Sequence, residues 1–189
     1  MYAKVENNVI VKANSSLASF NRAAPSWSAE QLAANGIYEV VYNNSNLKDE
    51  RFYINGAESF TFANDTVTAS YTAAVGKALD DVNATDENDV ELDPVVVISG
   101  LKTNEKNQIK AQAASLLQST DWYVIRHAES ETAIPANVST FRAAVRTKSN
   151  EMETAIDGAA SAEALEALFT YTTGADDVTS RPLGEWPKL

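Results

Sequence analysis

The spacing of apolar and polar positions divides the chain into a strand-rich first part and a helical second part. Over the first 75 residues, apolar side chains alternate with polar ones or gather in β-branched and aromatic runs, the signature of strands. Residues 2–5 and 9–11 flank the polar turn Glu6-Asn7-Asn8 and predict a hairpin. Residues 17–22 predict a helical turn. Ser28-Ala29-Glu30-Gln31 has the form of a capping box, in which the serine oxygen takes a backbone amide and Gln31 reaches back to the chain. The helix it opens is short, because Asn35-Gly36 supplies a left-handed stop. Residues 37–42 form the next strand. Residues 51–54 and 58–62 enclose Asn55-Gly56, a dipeptide that tolerates the positive φ of tight turns, and predict a second hairpin with Ala57 as a bulge. Residues 66–72 follow the turn Asn64-Asp65, with Val67, Ala69 and Tyr71 alternating with Thr and Ser. The prediction for residues 1–75 is an antiparallel β-meander with one short helix.

Helical spacing takes over from Asn104. Ile109, Ala113, Leu116 and Leu117 fall at i, i+4, i+7 and i+8 on one helical face. Thr120 can cap a second short helix carrying Trp122, Ile125 and Arg126, and Pro135 breaks it. Ser139 can cap a third, with Phe141, Val145, Met152 and Ile156 on one side and Gly158 at its end. Ser161 can cap a fourth containing Leu165, Leu168 and Phe169. The expected class is therefore α+β, with a β-rich domain at 1–75, a small helical domain at 104–170 and a loose tail at 171–189. Between the two, residues 76–103 are rich in Asp and Glu, whose mutual repulsion favours an extended, solvated linker. Its apolar patch, residues 95–98, reads as an extra strand able to dock on either half.

Charge and composition narrow the function. The 189 residues carry a formal net charge of −11, with no cluster of Lys and Arg. Nucleic acid is excluded as a direct partner, because binding it requires concentrated positive charge. No apolar run approaches the roughly 18 residues that span a bilayer, and the start shows no charged-then-apolar leader, so a soluble protein outside the secretory route is expected. The absence of cysteine removes thiolate nucleophiles and cysteine-based metal sites.

Few residues suggest chemistry. His127 is the sole histidine, with no nucleophile or second base indicated beside it, and reads as a surface or interface residue. Asp86-Glu87-Asn88-Asp89-Val90-Glu91 is oxygen-rich but lacks the central glycine of a calcium loop, so no metal is expected there. Neither a phosphate-cradling glycine loop nor a Gly-x-Ser-x-Gly elbow occurs, and no cofactor or catalytic residue is expected. Arg142 and Arg146 stand one helical turn apart and can meet a partner's carboxylates or pair with Glu129 or Glu131 in the chain itself. Trp122, Tyr123 and Arg126 form the densest cluster of residue types that dominate binding hot spots. A tryptophan beside a helix cap in a small helical domain is more often core than interface.

The run Leu116-Leu117-Gln118-Ser119-Thr120-Asp121-Trp122-Tyr123-Val124-Ile125-Arg126-His127-Ala128-Glu129 is followed by Ile134-Pro135-Ala136-Asn137-Val138 and then by Phe141-Arg142-Ala143-Ala144-Val145-Arg146. This order resembles the C-terminal segment of phage tail-fibre assembly chaperones and related phage tail-associated proteins: a helix, a Thr-Asp-Trp turn, an arginine and an acid, a proline, a tyrosine–arginine pair and a second arginine. Phe141 stands where tyrosine is usual, and a short spacer follows Glu129. The opening Met1-Tyr2-Ala3-Lys4-Val5, with Gly36-Ile37-Tyr38-Glu39-Val40, also looks like the start of many marine-phage tail proteins. The resemblance implies a non-enzymatic protein that binds a tail-fibre or other tail protein in the host cytoplasm and helps it fold, trimerise or stay soluble. A permanent tail component, such as an adaptor, tail-tip or decorating protein, is the alternative, and an envelope-degrading enzyme a more distant one. Self-association is left open. The candidate contact residues are Trp122, Tyr123, Arg126, Phe141, Arg142, Arg146 and Trp186. In structural terms, Thr120 would cap, Trp122 and Phe141 would pack across a helical hairpin, and Arg126 and Arg142 would tie its turns to acids.

Overall fold

A computed structural model describes residues 1–189. The chain is mixed α+β and divides into two compact units, Met1–Val75 and Gly76–Leu189. No helix is long and apolar enough to cross a membrane.

The first unit is built on β1 (Tyr2–Glu6), β2 (Val9–Ser15), α1 (Ala29–Ala34), β3 (Ile37–Asn43), β4 (Tyr53–Ile54), β5 (Glu58–Ala63) and β6 (Thr66–Tyr71); the two-residue β7 (Val75–Gly76) falls where the chain passes from the first unit to the second. The β1–β2 hairpin forms as the pattern predicts, with Asn7 and Asn8 at φ 51° and 62°, the left-handed region that asparagine tolerates. The capping box forms too: Ser28 Oγ accepts from the Gln31 amide at 3.3 Å, and Gln31 Oε1 accepts from the Ser28 amide at 2.8 Å. Gly36 stops α1 at φ +65°, and a Cβ there would lie 2.3 Å from the Val5 carbonyl oxygen, so conformation and close approach both demand glycine.

The sheet is not a meander. Its order is β2-β1-β3-β6-β5, and the central pair β3–β6 is parallel, with Val40 opposite Val67 and Asn43 opposite Ser70. The sheet curls so that its edge strands β2 and β5 approach each other. Ala3, Val5, Val40, Val67 and Ala69 fill its core, backed by Tyr38, Phe60 and Phe62. The hairpin predicted around Asn55-Gly56 does not form. Neither residue has positive φ; instead the Asn55 amide group grips the Lys48 backbone, Oδ1 accepting from its N–H at 2.9 Å and Nδ2 donating to its carbonyl at 3.0 Å. Asn55 thus closes its own loop. The tight turn falls at Asn64-Asp65, φ 49° and 54°, where β5 meets β6.

The second unit holds β8 (Val82–Asn83), β9 (Val97–Ile98), α2 (Leu101–Gln118), α3 (Asp121–Ser130), α4 (Ala136–Asp157), α5 (Ala162–Phe169), β10 (Thr172–Thr173) and β11 (Thr179–Ser180). α2 packs along α4, and α4 meets α5. The helical periodicity selects the right residues: Ile109 and Ala113 of α2, Phe141, Val145, Met152 and Ile156 of α4, and Leu165 of α5 are all buried. Lys106–Asp157 at 2.7 Å and Lys110–Glu153 at 3.4 Å lace the exposed margin of α2 and α4. Ser161 caps α5 by accepting from the Ala164 amide at 3.1 Å. Ser139 caps nothing, because α4 starts three residues earlier: the Pro135 carbonyl accepts the Ser139 amide at 3.1 Å, and proline, lacking an N–H, is at home at a helix start.

Two expectations for the flanking segments are revised. Residues 82–98 are not a simple extended linker but double back as a hairpin: Val82 pairs with Ile98, Asn83 with Val97, and Thr85 bridges Glu91. Local donors offset the charge repulsion. Asp86 Oδ1 accepts the amides of Asn88 at 2.8 Å and Val90 at 3.0 Å, and Asp81 accepts that of Gly100 at 2.8 Å. The tail is not loose either. Leu183 is buried and its amide donates to the Leu168 carbonyl at 3.0 Å, while Trp186 Nε1 donates to Gln112 Oε1 at 2.8 Å.

Candidate functional site

α3 is the part of the helical unit with the least structural reason for its composition. Its sequence, Asp-Trp-Tyr-Val-Ile-Arg-His-Ala-Glu-Ser, buries no residue at all. Trp122 is 50% exposed and Ile125 57%, and Val124 is also exposed. A helix in a small domain ordinarily earns its place by burying an apolar stripe. Here the stripe faces solvent.

Arg126 organises the exposed surface. It lies four residues after Trp122 and three after Tyr123, so helical spacing brings its side chain back over both rings. The guanidinium carbon stands 4.7 Å from the Trp122 ring centre and 5.3 Å from that of Tyr123, and the two rings are 3.9 Å apart. Its Nε is shielded from solvent and has no hydrogen-bond partner, so the ring faces supply its electrostatic compensation. Arg126 therefore ties no turn to an acid. The result is an aromatic–arginine plate, with Ile125 one helical turn from Trp122 and Asp121 and Glu129 near the ends of the helix.

The plate's position is set from α4. Arg142, nearly buried, sends Nη1 into the α2–α3 corner, donating to the Leu117 carbonyl at 2.9 Å and Thr120 Oγ1 at 2.7 Å, and pairing with Asp121 Oδ1 at 2.8 Å. Thr120 is not a side-chain cap; its hydroxyl donates back to the Leu117 carbonyl at 2.8 Å and accepts from Arg142. Asp121 in the first turn favours the helix N-terminus as well as the guanidinium. At its other end α3 stops at Glu131, φ 55°, and His127 Nδ1 lies 3.1 Å from the Thr132 carbonyl, an exposed ring making a local contact.

The candidate residues thus separate into three groups. Trp122, Tyr123 and Arg126 come together on the surface, and the expectation that Trp122 is core is overturned. Phe141 and Arg142 are interior and unavailable to a partner: Phe141 packs with Ala113 and Val145 against Leu116, Leu117 and Trp186 rather than against Trp122. Arg142 meets Asp121, not Glu129 or Glu131, because it points back toward the start of α3. Arg146 is exposed one turn along α4, its Nη1 3.5 Å from the Arg142 carbonyl, and Trp186 is half-buried on α2. Sequence reasoning missed Ile125 as a surface residue and Asp121 as the partner of Arg142; the i, i+3 spacing of Trp122 and Ile125 was the available signal for the first. The oxygen-rich stretch 86–91 spends its leading carboxylate on its own backbone, and no group of three or more Asp, Glu or His side chains gathers where a metal could sit.

No protein-family model matches the chain, and no curated protein or solved structure matches it.

Proposed function

We propose that this protein works by binding another protein through α3, without catalysing a reaction, and that its partner is a phage tail-fibre or other tail protein. The observation that carries the binding reading is the Trp122–Tyr123–Arg126 plate, with Trp122 and Ile125 exposed and Tyr123 and Arg126 half-buried, on a helix with no fully buried residue. Tryptophan, tyrosine and arginine dominate binding hot spots because they offer large apolar area with few torsions to freeze. A preassembled plate lowers the ordering cost of association. The order of residues 116–146, which resembles the tail-fibre assembly chaperones, supports the choice of partner. Within that segment the resemblance divides into residues that hold the corner, Thr120, Asp121 and Arg142, and residues presented at the surface, Trp122, Tyr123 and Arg126. An assembly role calls for a surface that shields apolar regions of an unfinished fibre and then releases them.

The test is co-expression with a phage tail-fibre protein. The yield of soluble trimeric fibre is expected to rise with the intact protein and to fall back with Trp122→Ala or Ile125→Ser, both surface changes that leave the fold in place. A fibre yield indifferent to this protein would refute the reading. Mass spectrometry of purified virions then separates a transient factor, absent from the particle, from a permanent tail component present at fixed copy number.

A further inference from the structure

The hairpin at 82–98 is apolar where a solvated hairpin should not be. Val82 faces Ile98 across the ladder, and Val96, two residues before Ile98, extends the same face just ahead of β9, its carbonyl accepting the Ala84 amide at 2.7 Å. These three side chains are 47%, 55% and 48% exposed. Val95 and Val97, on the alternate positions, are exposed as well. The ladder has only two strands, so each has one edge with no neighbour. An isolated two-stranded ladder is marginal in water, and an apolar one with open edges is a template for another strand.

Charge identifies what that strand must carry. Seven carboxylates lie between Asp80 and Asp93, with no Lys, Arg or His among them. Asp86 is held ionised by the Val90 and Asn88 amides, which lower its pKa. A second copy of this chain would bring the same acidic arm into register, and like charges facing each other across strands repel. An apolar strand with basic ends meets the valines and the carboxylates together.

We propose that residues 82–98 form a second docking element, separate from α3, which takes up an extended apolar segment of a partner protein flanked by Lys or Arg and pairs with it as an added strand. Backbone pairing supplies the register, the Val82–Val96–Ile98 face supplies apolar contact, and the acidic rim selects against neutral or acidic strands.

Fluorescence anisotropy of labelled peptides on the full-length protein tests this. The probe has alternating Val and Thr between lysine pairs; one control replaces the lysines with glutamates, and a second keeps the lysines but replaces each Val with Ser. The lysine–valine peptide is expected to bind at least about tenfold more tightly than either control, and less tightly as salt rises. N-methylation of alternate peptide amides should abolish binding. The double variant V96T/I98T, both exposed positions that keep β-branching, should weaken it at least about fivefold with an unchanged circular dichroism spectrum. Trp122→Ala should leave it unaltered, which separates this site from the α3 reading. Equal binding of the serine peptide would mean a mere acidic sink and overturn the proposal. So would no binding by any peptide, indifference to V96T/I98T or to N-methylation, loss with Trp122→Ala, or sedimentation showing a dimer joined through this hairpin.

Discussion

Arg142→Met tests whether one buried guanidinium fixes the corner from which α3 projects. Methionine preserves most of the packing of the arginine stem while deleting the charge and its donors. Nη1 has two hydrogens and faces three oxygens, Leu117 O, Thr120 Oγ1 and Asp121 Oδ1, at 2.9, 2.7 and 2.8 Å. Those bonds are unequal in value. Thr120 is 1% exposed, and bonds to a charged donor in such a setting contribute about 1.5–3 kcal/mol each. Asp121 is 52% exposed, so water replaces its share and the ion pair adds at most about 1 kcal/mol. Thr120 keeps its own bond to the Leu117 carbonyl, which limits the loss. Together these give a destabilisation of about 3 kcal/mol for Arg142→Met and about 1 kcal/mol or less for Asp121→Asn. Urea unfolding followed by circular dichroism measures both, and the double variant gives the coupling. Hydrogen exchange of the Tyr123 amide, bonded to the Thr120 carbonyl at 3.2 Å, should accelerate in Arg142→Met before global unfolding. A cost below about 1 kcal/mol for Arg142→Met, or equal costs for the two single variants, would refute the claim that the buried hydrogen bonds, rather than the ion pair, hold the corner.

Other expectations follow from the same contacts. Leu165→Ala should cost about 3 kcal/mol in the same unfolding assay, since Leu165 is fully buried and its removal leaves a cavity under α5. Gly56→Ala should destabilise the first unit by more than about 2 kcal/mol, because the new Cβ would sit 2.0 Å from Thr72 Oγ1 and 2.5 Å from its carbonyl oxygen. Asp65→Gly, at φ 54° in the true hairpin turn, should instead be neutral or stabilising by up to about 1 kcal/mol, and the pair of melting curves shows which turn is strained. For the hairpin tip, the Val90 and Asn88 amides hold the Asp86 carboxyl below its ordinary 3.8. A lowered folded pKa means that its contribution is complete above the unfolded value and is lost as pH falls through the folded one. The Val90 amide should therefore exchange with enhanced protection at pH 5 relative to Asp86→Asn, a difference that disappears in strong acid.

Local chemistry was enough to determine those elements whose causes are themselves local. The Ser28–Gln31 box, the Asn7-Asn8 turn, the Gly36 stop, the Ser161 cap and the buried stripes of α2, α4 and α5 each depend on residues within a few positions of one another, so periodicity and capping rules locate them. The α+β class follows from their sum. Tertiary structure alone decided how strands were partnered. The β3–β6 pair is parallel because the chain makes a long excursion between them, and Asn55 closes that excursion by gripping Lys48 instead of turning a hairpin. The candidate surface divides the same way. Spacing placed Arg126 over Trp122 and Tyr123, but nothing in the order of residues distinguishes a tryptophan that packs from one that faces water. That depends on which helix lies opposite, and here α4 presents Arg142 to the foot of α3 while Phe141 turns to α2 and Trp186. Burial is a property of neighbours brought from far along the chain, and so it was the three-dimensional fold that left the plate exposed.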